Sequence, residues 1–556
     1  MQEVKSALEK AVKSLFNLDV DAQISRPEPQ FGDYASNVAM QMAKELHKPP
    51  REIAEKIVNE IRVHEYFWLK STDIAGAGFI NFTLTDAALI NQLVINYPDD
   101  YKDQSVAVEY SCPNSFKDLH AGHLYQSIAG DALSRLLERG EATVHRTNFG
   151  GDVGLHVAKA MWGILSLLSG EMPDKLNDIK GNDRTKFLSK AYVLGAGEYE
   201  ESDIVRAEVQ ALNKQIYAIA DNDEHDTPLA QIYWTCRQWS YDYFDEFYKN
   251  IQIDPFKYYP ESKTNSIGAQ LVEKGIKDKV FEYSDGAVVF KGENYDLHTR
   301  VFVTSSGLPT YETKDLGVIA AEYKDYKFDK RILITGRDQS EYMKVVYKAA
   351  DILMPEVAGK MTHLTNGIIK FGDGKKMSSR LGNVTTADDV LDLVYELVPA
   401  ENDEVARREI MLAAVKYTFL KHKLGGDIAF DPEESVSLQG NSGPYLQYAL
   451  VRAKSILSKA ELEAGSLNAE LTTDERLLVR YISMYSEILK SAQDEYAIHE
   501  VCTYLYGLAS QFNKFYEKNR VIGDDRQDVR LAIVDKYAQV LQDGLTLLGI
   551  KPLDKM

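Results

Sequence analysis

Apolar residues recur with a helical period at the start of the chain, where Val4, Leu8, Val12 and Leu15 fall on one face. The same pattern predicts a second helix over 35–46. A third follows Pro49-Pro50, since proline suits the first turn of a helix. After Gly76-Ala-Gly78 the segment Phe79-Ile-Asn-Phe-Thr-Leu84 reads as a strand, and Asp99 to Asp103 reads as a linker. From Ser105 the grammar changes. Val106, Val108 and Tyr110 predict a strand that breaks at Cys112-Pro113-Asn114. A helix then begins near Gly122 and runs through Ile128, Leu133, Leu136 and Leu137. A second strand over 142–146 ends at Asn148-Phe-Gly-Gly-Asp-Val-Gly154. Strand, loop, helix and strand, with glycines at the strand ends, is how a parallel α/β sheet is written. Residues 160–290 read as a charged helical insertion, with strands returning at Ala287–Phe290, Arg300–Thr304 and Arg331–Thr335. Beyond about 400 the pattern is helical, and Leu450, Ile456, Leu457, Leu477, Leu478 and Ile482 predict a bundle.

Four regions follow from this reading. Residues 1–98 form an α+β N-terminal domain. Residues 104–385 form an α/β catalytic domain of Rossmann type that carries the helical insertion at 160–290. Residues 386–432 connect it to an all-α helix bundle at 433–556. A length of 556 residues agrees with about three or four domains. With 44% hydrophobic and 27% charged residues, each region can bury a core, which excludes wholesale disorder.

Charge narrows the function classes. Lys+Arg is 64 against 84 Asp+Glu, a net charge of −20, so a polyanion must be met by local basic or aromatic patches. Cys112, Cys236 and Cys502 are too few for a disulfide framework or a zinc knuckle, so a reducing, cytoplasmic setting and no zinc are expected. The N-terminus shows no signal-peptide pattern, and no stretch reads as a membrane span.

Two motifs carry chemistry. His120-Ala121-Gly122-His123 falls between a strand and a helix. The bland reading is two surface histidines, and a metal reading lacks a third ligand. The phosphate reading uses Gly122 for close backbone approach, the free N–H groups of the helix start, and two imidazoles as donors. Far along the chain, Gly374-Lys375-Lys376-Met377-Ser378-Ser379-Arg380 sets a basic run beside glycines and hydroxyls, the make-up of a clamp for leaving phosphates. Alone it is better explained by a solvated turn. The pair, in one chain and in this order, favours the clamp.

The pair resembles the HIGH and KMSKS signatures of class I aminoacyl-tRNA synthetases, and the flanking residues resemble the arginyl-tRNA synthetase family. Ser111-Cys-Pro-Asn-Ser-Phe-Lys117 is similar to that family's lead-in to HIGH, and Asn148-Phe-Gly-Gly-Asp-Val-Gly154 to its N-H-x-G-D-W-G. Tyr311-Glu-Thr-Lys-Asp315, Gly336-Arg-Asp-Gln339, Gly440-Asn-Ser-Gly-Pro-Tyr-Leu-Gln-Tyr448 and Phe31-Gly-Asp-Tyr-Ala-Ser-Asn37 resemble four further family elements. The match runs in order from about residue 30 to the end. Departures are Ser379 for the second lysine of KMSKS, Cys112 for serine, Phe149 for histidine, Val153 for tryptophan, and Tyr342 where a histidine often sits.

The resemblance implies that the chain attaches L-arginine to tRNA(Arg) at the expense of ATP, through an arginyl-adenylate. It places Lys117, His120, Gly122, His123, Lys376, Met377, Ser378 and Ser379 at the ATP phosphates with Mg2+. Around arginine it places Glu109, Cys112, Pro113, Asn114, His123, Tyr311, Asp315 and Gln339, with Asp315 and Tyr311 on the guanidinium. A DALR-type anticodon reader is implied at the C-terminus, with Tyr445, Tyr448, Tyr516 and Met556 on tRNA. Asn37 is implied as a tRNA contact of the N-terminal domain, and the enzyme is expected to work as a monomer. Arginine's planar five-donor cation calls for a buried carboxylate, which rejects neutral analogues by leaving that charge unpaired. The rivals fit less well. A glutamyl enzyme wants basic residues at Asp315, a cysteinyl enzyme wants zinc, a non-catalytic relative would not need HAGH intact, and a nucleotidylyltransferase leaves the bundle unexplained.

Overall fold

The computed structural model describes residues 1–371, 386–400, 403–460 and 470–556. At its centre is a five-stranded sheet whose strands are all parallel: Ser105–Glu109, Thr143–Asn148, Lys257–Tyr258, Lys330–Gly336 and Met361–Asn366. Numbered along the chain, their spatial order is 5-4-1-2-3, the doubly wound order in which connections diverge from a central pair. That pair is Ser105–Glu109 and Lys330–Gly336, with Glu109 in register with Leu333 and Thr147. Because the first strand passes to one side and the fourth to the other, a crevice opens at their carboxyl ends.

Close helix packing holds that crevice. The helix Ala121–Glu138 crosses the sheet with Gly130 against Tyr110, and a Cβ there would lie 2.1 Å from the Tyr110 ring. The insertion has its own apolar core, which includes Val153, Met161, Ile216, Tyr233 and Cys236. Its first part is helical as the pattern predicts, Lys257–Tyr258 returns to the parallel sheet, and Glu282–Ser284 joins the predicted strands Ala287–Phe290 and Arg300–Val303 in a separate antiparallel sheet. Asp152, fully buried, pins the insertion to the sheet. Its carboxylate accepts Arg237 Nε at 2.7 Å, Ser262 N–H at 2.9 Å and Ser262 Oγ–H at 2.6 Å.

The N-terminal domain is a four-stranded antiparallel sheet covered by helices that include Gln2–Phe16, Val38–Leu46 and Pro50–Val63. The second helix starts three residues later than predicted, because Tyr34–Ser36 is a buried strand. The Phe31–Asn37 motif knits this domain to the C-terminal bundle. Arg476 Nη2 donates to buried Asp33 at 2.5 Å, and Arg26 and Tyr34 both donate to Glu487. The bundle comprises Gly443–Lys459, Thr473–Ser483, Tyr485–Glu495, Ile498–Lys518 and Gln527–Leu547. Among the described residues no helix is long and apolar enough to cross a membrane.

A candidate active site at the strand crossover

Between the first strand and its helix the chain makes an unusual path. Ser111, Cys112 and Phe116 all have positive φ, of 69°, 46° and 68°. The Cys112 N–H donates to the Tyr110 carbonyl at 3.0 Å across Ser111, a γ-turn of the rare positive-φ kind. Such backbone costs on the order of 1–3 kcal/mol per residue and persists only where neighbours over-determine it. They do so here: Ser111 Oγ meets Tyr248 Oη at 2.8 Å, Ser115 N–H donates to Gly151 O at 2.9 Å, and Phe116 N–H to Ser240 Oγ at 2.9 Å. Gly150 and Gly151 let this loop close up, since a Cβ on either would lie 2.4 Å from Pro113 O or Asn114 Oδ1.

The loop delivers His120 as the N-cap of Ala121–Glu138. The Gly122 and His123 N–H groups donate to His120 Nδ1 at 3.0 and 3.4 Å, and the His120 N–H donates to His123 Nδ1 at 3.2 Å. The rings stack with centroids 3.7 Å apart. The missing Cβ of Gly122 would lie 2.8 Å from His120 Cε1, so the glycine makes room for the imidazole. An accepting Nδ1 carries no proton, so each neutral ring holds its proton on Nε2 and presents a donor. Burial lowers both imidazole pKa values, and the nearby charge of Lys117 lowers them further. Lys117 is itself lowered by burial. Its ammonium lies 5.4 Å from the Tyr192 ring, and among the described residues no carboxylate pairs with it. Two N–H donors and an uncommitted ammonium at a helix N-terminus make an anion site.

Lys376, Met377, Ser378 and Ser379 lie outside the described residues. The first described residue after them, Thr386, bridges to His120, and Ala387 N–H donates to Leu119 O at 2.7 Å.

Beside the histidines lies an acidic recess. Arg331, fully buried in the fourth strand, donates to Glu109 and, at 2.5 Å, to Glu322. Glu109 is raised to about 8 by burial, against the pull of Arg331. Cys112 Sγ lies 3.7 Å from Glu109, and burial pushes its thiol well up. Asp315, on the helix Tyr311–Tyr326, is buried and raised well above the usual carboxylate range, by burial first and then by the charge of Glu109. It accepts a hydrogen bond from Tyr342 Oη. Its neighbours Glu261 and Glu312 have their own cations, Lys314 at 2.6 Å and Arg300 at 3.8 Å. Glu109 and Glu322 therefore share one guanidinium, and among the described residues Asp315 pairs with no cation. Tyr311, 63% exposed, stands at the mouth with Lys314 Nζ 5.2 Å from its ring. Gln339 ends the exposed turn Arg337–Gln339 after the fourth strand, and Asn114 is half-buried in the loop. Sequence reasoning missed Arg331, whose burial depends on partners on three other elements, and missed that Lys117 meets no carboxylate among the described residues.

In the bundle, Tyr445, Tyr448 and Tyr516 gather around Arg452, a residue that sequence reasoning passed over. Arg452 donates to Tyr448 Oη at 3.1 Å and Asn513 Oδ1 at 2.8 Å, and lies 4.9 and 5.8 Å from the Tyr448 and Tyr516 rings. Asn513 donates to Tyr445 Oη at 2.8 Å. Met556 packs partly buried against the bundle core. Asn37 caps Val38–Leu46 through its backbone, and its side-chain oxygen is buried with no partner.

A doubly wound sheet with a histidine-capped helix at its crossover, an anionic pocket alongside and a helical bundle behind defines a class I aminoacyl-tRNA synthetase. The family described as tRNA synthetases class I (R), catalytic domain, matches residues 85–431. The arginyl tRNA synthetase N terminal domain matches 2–84, and the DALR anticodon binding domain matches 446–556. The chain belongs to the arginyl-tRNA synthetase family. It is 28% identical to an arginine–tRNA ligase of Bacteroides fragilis over 98% of each chain, and 27% identical to that of Porphyromonas gingivalis over the whole of both. Its fold is similar to that of the arginyl-tRNA synthetase of Thermus thermophilus, with a TM-score of 0.82 at 22% identity over 100% of each chain.

The Gly122–His120 contact generates a test. Gly122→Ala displaces the His120 ring, and the expected result is a fall of about tenfold or more in ATP–pyrophosphate exchange with a stability loss of only about 1 kcal/mol, the worth of one cap. Exchange kinetics and calorimetry read the two separately.

Proposed function

We propose that the chain ligates L-arginine to tRNA(Arg) in two steps at this crevice, and that the uncompensated carboxyl of Asp315 selects the amino acid. One observation carries the reading: a buried carboxyl that pairs with no cation among the described residues sits beside a cluster of phosphate-type donors. The guanidinium takes Asp315, with Tyr311 across its face. Glu109, Cys112, Pro113, Asn114 and Gln339 border the rest of arginine together with His123. The Nε2–H groups of His120 and His123, the Lys117 ammonium and the helix start before Gly122 hold the triphosphate. Lys376, Met377, Ser378 and Ser379 are proposed to close on it. The arginine carboxylate attacks the α-phosphorus in line, pyrophosphate leaves, and the terminal adenosine of tRNA takes the arginyl group. No protein nucleophile is needed, because placement and charge stabilisation supply the catalysis. Mg2+ would sit on phosphate oxygens, where it neutralises charge. The described residues offer no group of three His, Cys, Asp or Glu side chains for a metal.

For tRNA, the Arg452 platform supports a reading in which Tyr448 and Tyr516 stack on bases of the anticodon loop, with Tyr445 and Met556 framing them. Asn37 is proposed as a contact of the N-terminal domain, with its buried, unpartnered oxygen exposed only by local rearrangement. We assign 1–98 and 433–556 to tRNA binding, 104–385 to catalysis with its insertion at 160–290, and 386–432 to their connection. We propose further that the enzyme acts as a cytoplasmic monomer.

Exchange of ATP with pyrophosphate, run with each amino acid and with and without tRNA, tests the assignment. Exchange driven by glutamate or lysine alone overturns it. Asp315→Ala is expected to lose about 100- to 1,000-fold in kcat/KM for arginine while ATP binding persists, the scale of breaking a buried charge pair. The pH dependence has a definite sign. Burial raises both Asp315 and Glu109, Glu109 to about 8, and a guanidinium favours their ionised forms, so protons leave as arginine binds. Arginine KM therefore falls as pH rises from about 6 towards about 8. Calorimetry in buffers of different ionisation enthalpy should detect the released proton. Arg452→Ala is expected to weaken tRNA binding about tenfold, with a shallower salt dependence and unchanged arginine and ATP constants.

A further inference from the structure

Tyr342 stands in the first turn of the helix Ser340–Leu353, which leaves the fourth strand on the far side of the crossover from His120. Its hydroxyl donates to Asp315 Oδ2. Among the described residues no cation pairs with Asp315, because Arg331 is taken by Glu109 and Glu322, Lys314 by Glu261, and Arg300 by Glu312. The Arg300 guanidinium also lies 5.6 Å from the Tyr342 ring. Tyr342 thus lies between a cation and the anion without being either. A neutral donor can hold one carboxylate oxygen and favour the ionised form, yet leave the charge itself unmet. Arginine or lysine at 342 would neutralise Asp315 and close the recess to a cationic substrate, and phenylalanine would leave the carboxyl free to turn.

We infer that Tyr342 is a positioning and specificity-determining residue for arginine: its hydroxyl fixes Asp315 Oδ2 so that Oδ1 faces the incoming guanidinium. The inference rests on the assignment of the guanidinium to Asp315. Because Tyr342 acts through the carboxylate, its influence falls on amino-acid recognition and leaves ATP recognition alone. It also weighs on the choice between cations. A carboxylate locked in direction suits the planar fork of a guanidinium, whereas the compact ammonium of lysine tolerates a carboxyl that turns.

The test uses the full-length enzyme in ATP–pyrophosphate exchange, with tRNA present. Tyr342→Phe is expected to raise arginine KM about tenfold, with kcat and ATP KM within about twofold, and to narrow the preference for arginine over lysine. The acid limb of kcat/KM for arginine should move to higher pH, since the ionised carboxylate loses a donor. Tyr342→His, a ring that can still donate, should recover most of the KM. An unchanged arginine KM in Tyr342→Phe overturns the inference. A lowered KM also overturns it, because the hydroxyl would then be a competitor for the guanidinium. A rise in arginine and ATP KM together, without rescue by histidine, marks a general packing role and equally overturns it. Asp315→Ala, run in parallel, separates the two levels of the argument. If that variant keeps arginine-dependent exchange, the guanidinium site itself is misplaced. If it loses exchange while Tyr342→Phe behaves as wild type, only the role of Tyr342 fails.

Discussion

The buried guanidinium of Arg331 sits between Glu109 and Glu322, and this one shared cation sets the character of the catalytic crevice. Without it, two strand- and helix-borne carboxyls would face each other in a dry interior, where neither could ionise at acceptable cost. With it, they are tied across the two central strands, at the point where the sheet's connections part. Asp315 joins the same group of acids with a tyrosine hydroxyl and, among the described residues, no cation, and the proposed reading gives that place to a substrate guanidinium. On that proposal, amino-acid selection is a property of the core as well as of its surface.

The phosphate side follows different physics. There the useful charge comes from leaving groups unpaired. The two histidines satisfy one another's backbone through Nδ1 and so turn both Nε2–H donors outward, and Lys117 lies near them with no carboxylate paired to it among the described residues. Donors of this kind need no reorganisation when a triphosphate arrives, which is what makes preorganised sites effective. The strained turn at Ser111 and Cys112 holds the anionic recess and the donor cluster at a fixed separation, because it links the strand that bears Glu109 to the helix that bears His123.

The strand Ser105–Glu109 was legible because its short apolar run ends in turn residues, Thr143–Asn148 because it follows a helix and ends at glycines, and the helical bundle because its periodicity is long. The edge strand Leu69–Ala75 was not, since LKSTDIA buries only Thr72 and carries no alternation strong enough to register. Lys257–Tyr258 is too short to have a pattern, and Met361–Asn366 is an edge strand with mixed exposure. At the site, residue types and spacing pointed to the histidines and to Asp315, and the family resemblance to Lys117. The mutual capping of the histidines, the burial of Arg331 and the gathering of Tyr448, Tyr516 and Arg452 depend on approaches between distant segments, which a linear pattern does not contain. The Phe31–Asn37 motif was read for its tRNA contact, whereas Asp33 and Tyr34 spend their polar groups on the bundle.

Asp152 has a consequence for how such a chain can change over time. Its carboxylate meets Arg237 in the middle of the helix Pro228–Asn250 and Ser262 at the start of the next helix, beside the Ser111–Tyr248 and Phe116–Ser240 hydrogen bonds. Helices between Asp152 and Arg237 can lengthen, shorten or acquire new surface chemistry and leave this junction intact, provided both ends still converge on the same anion. The insertion thus behaves as a module held at a fixed junction.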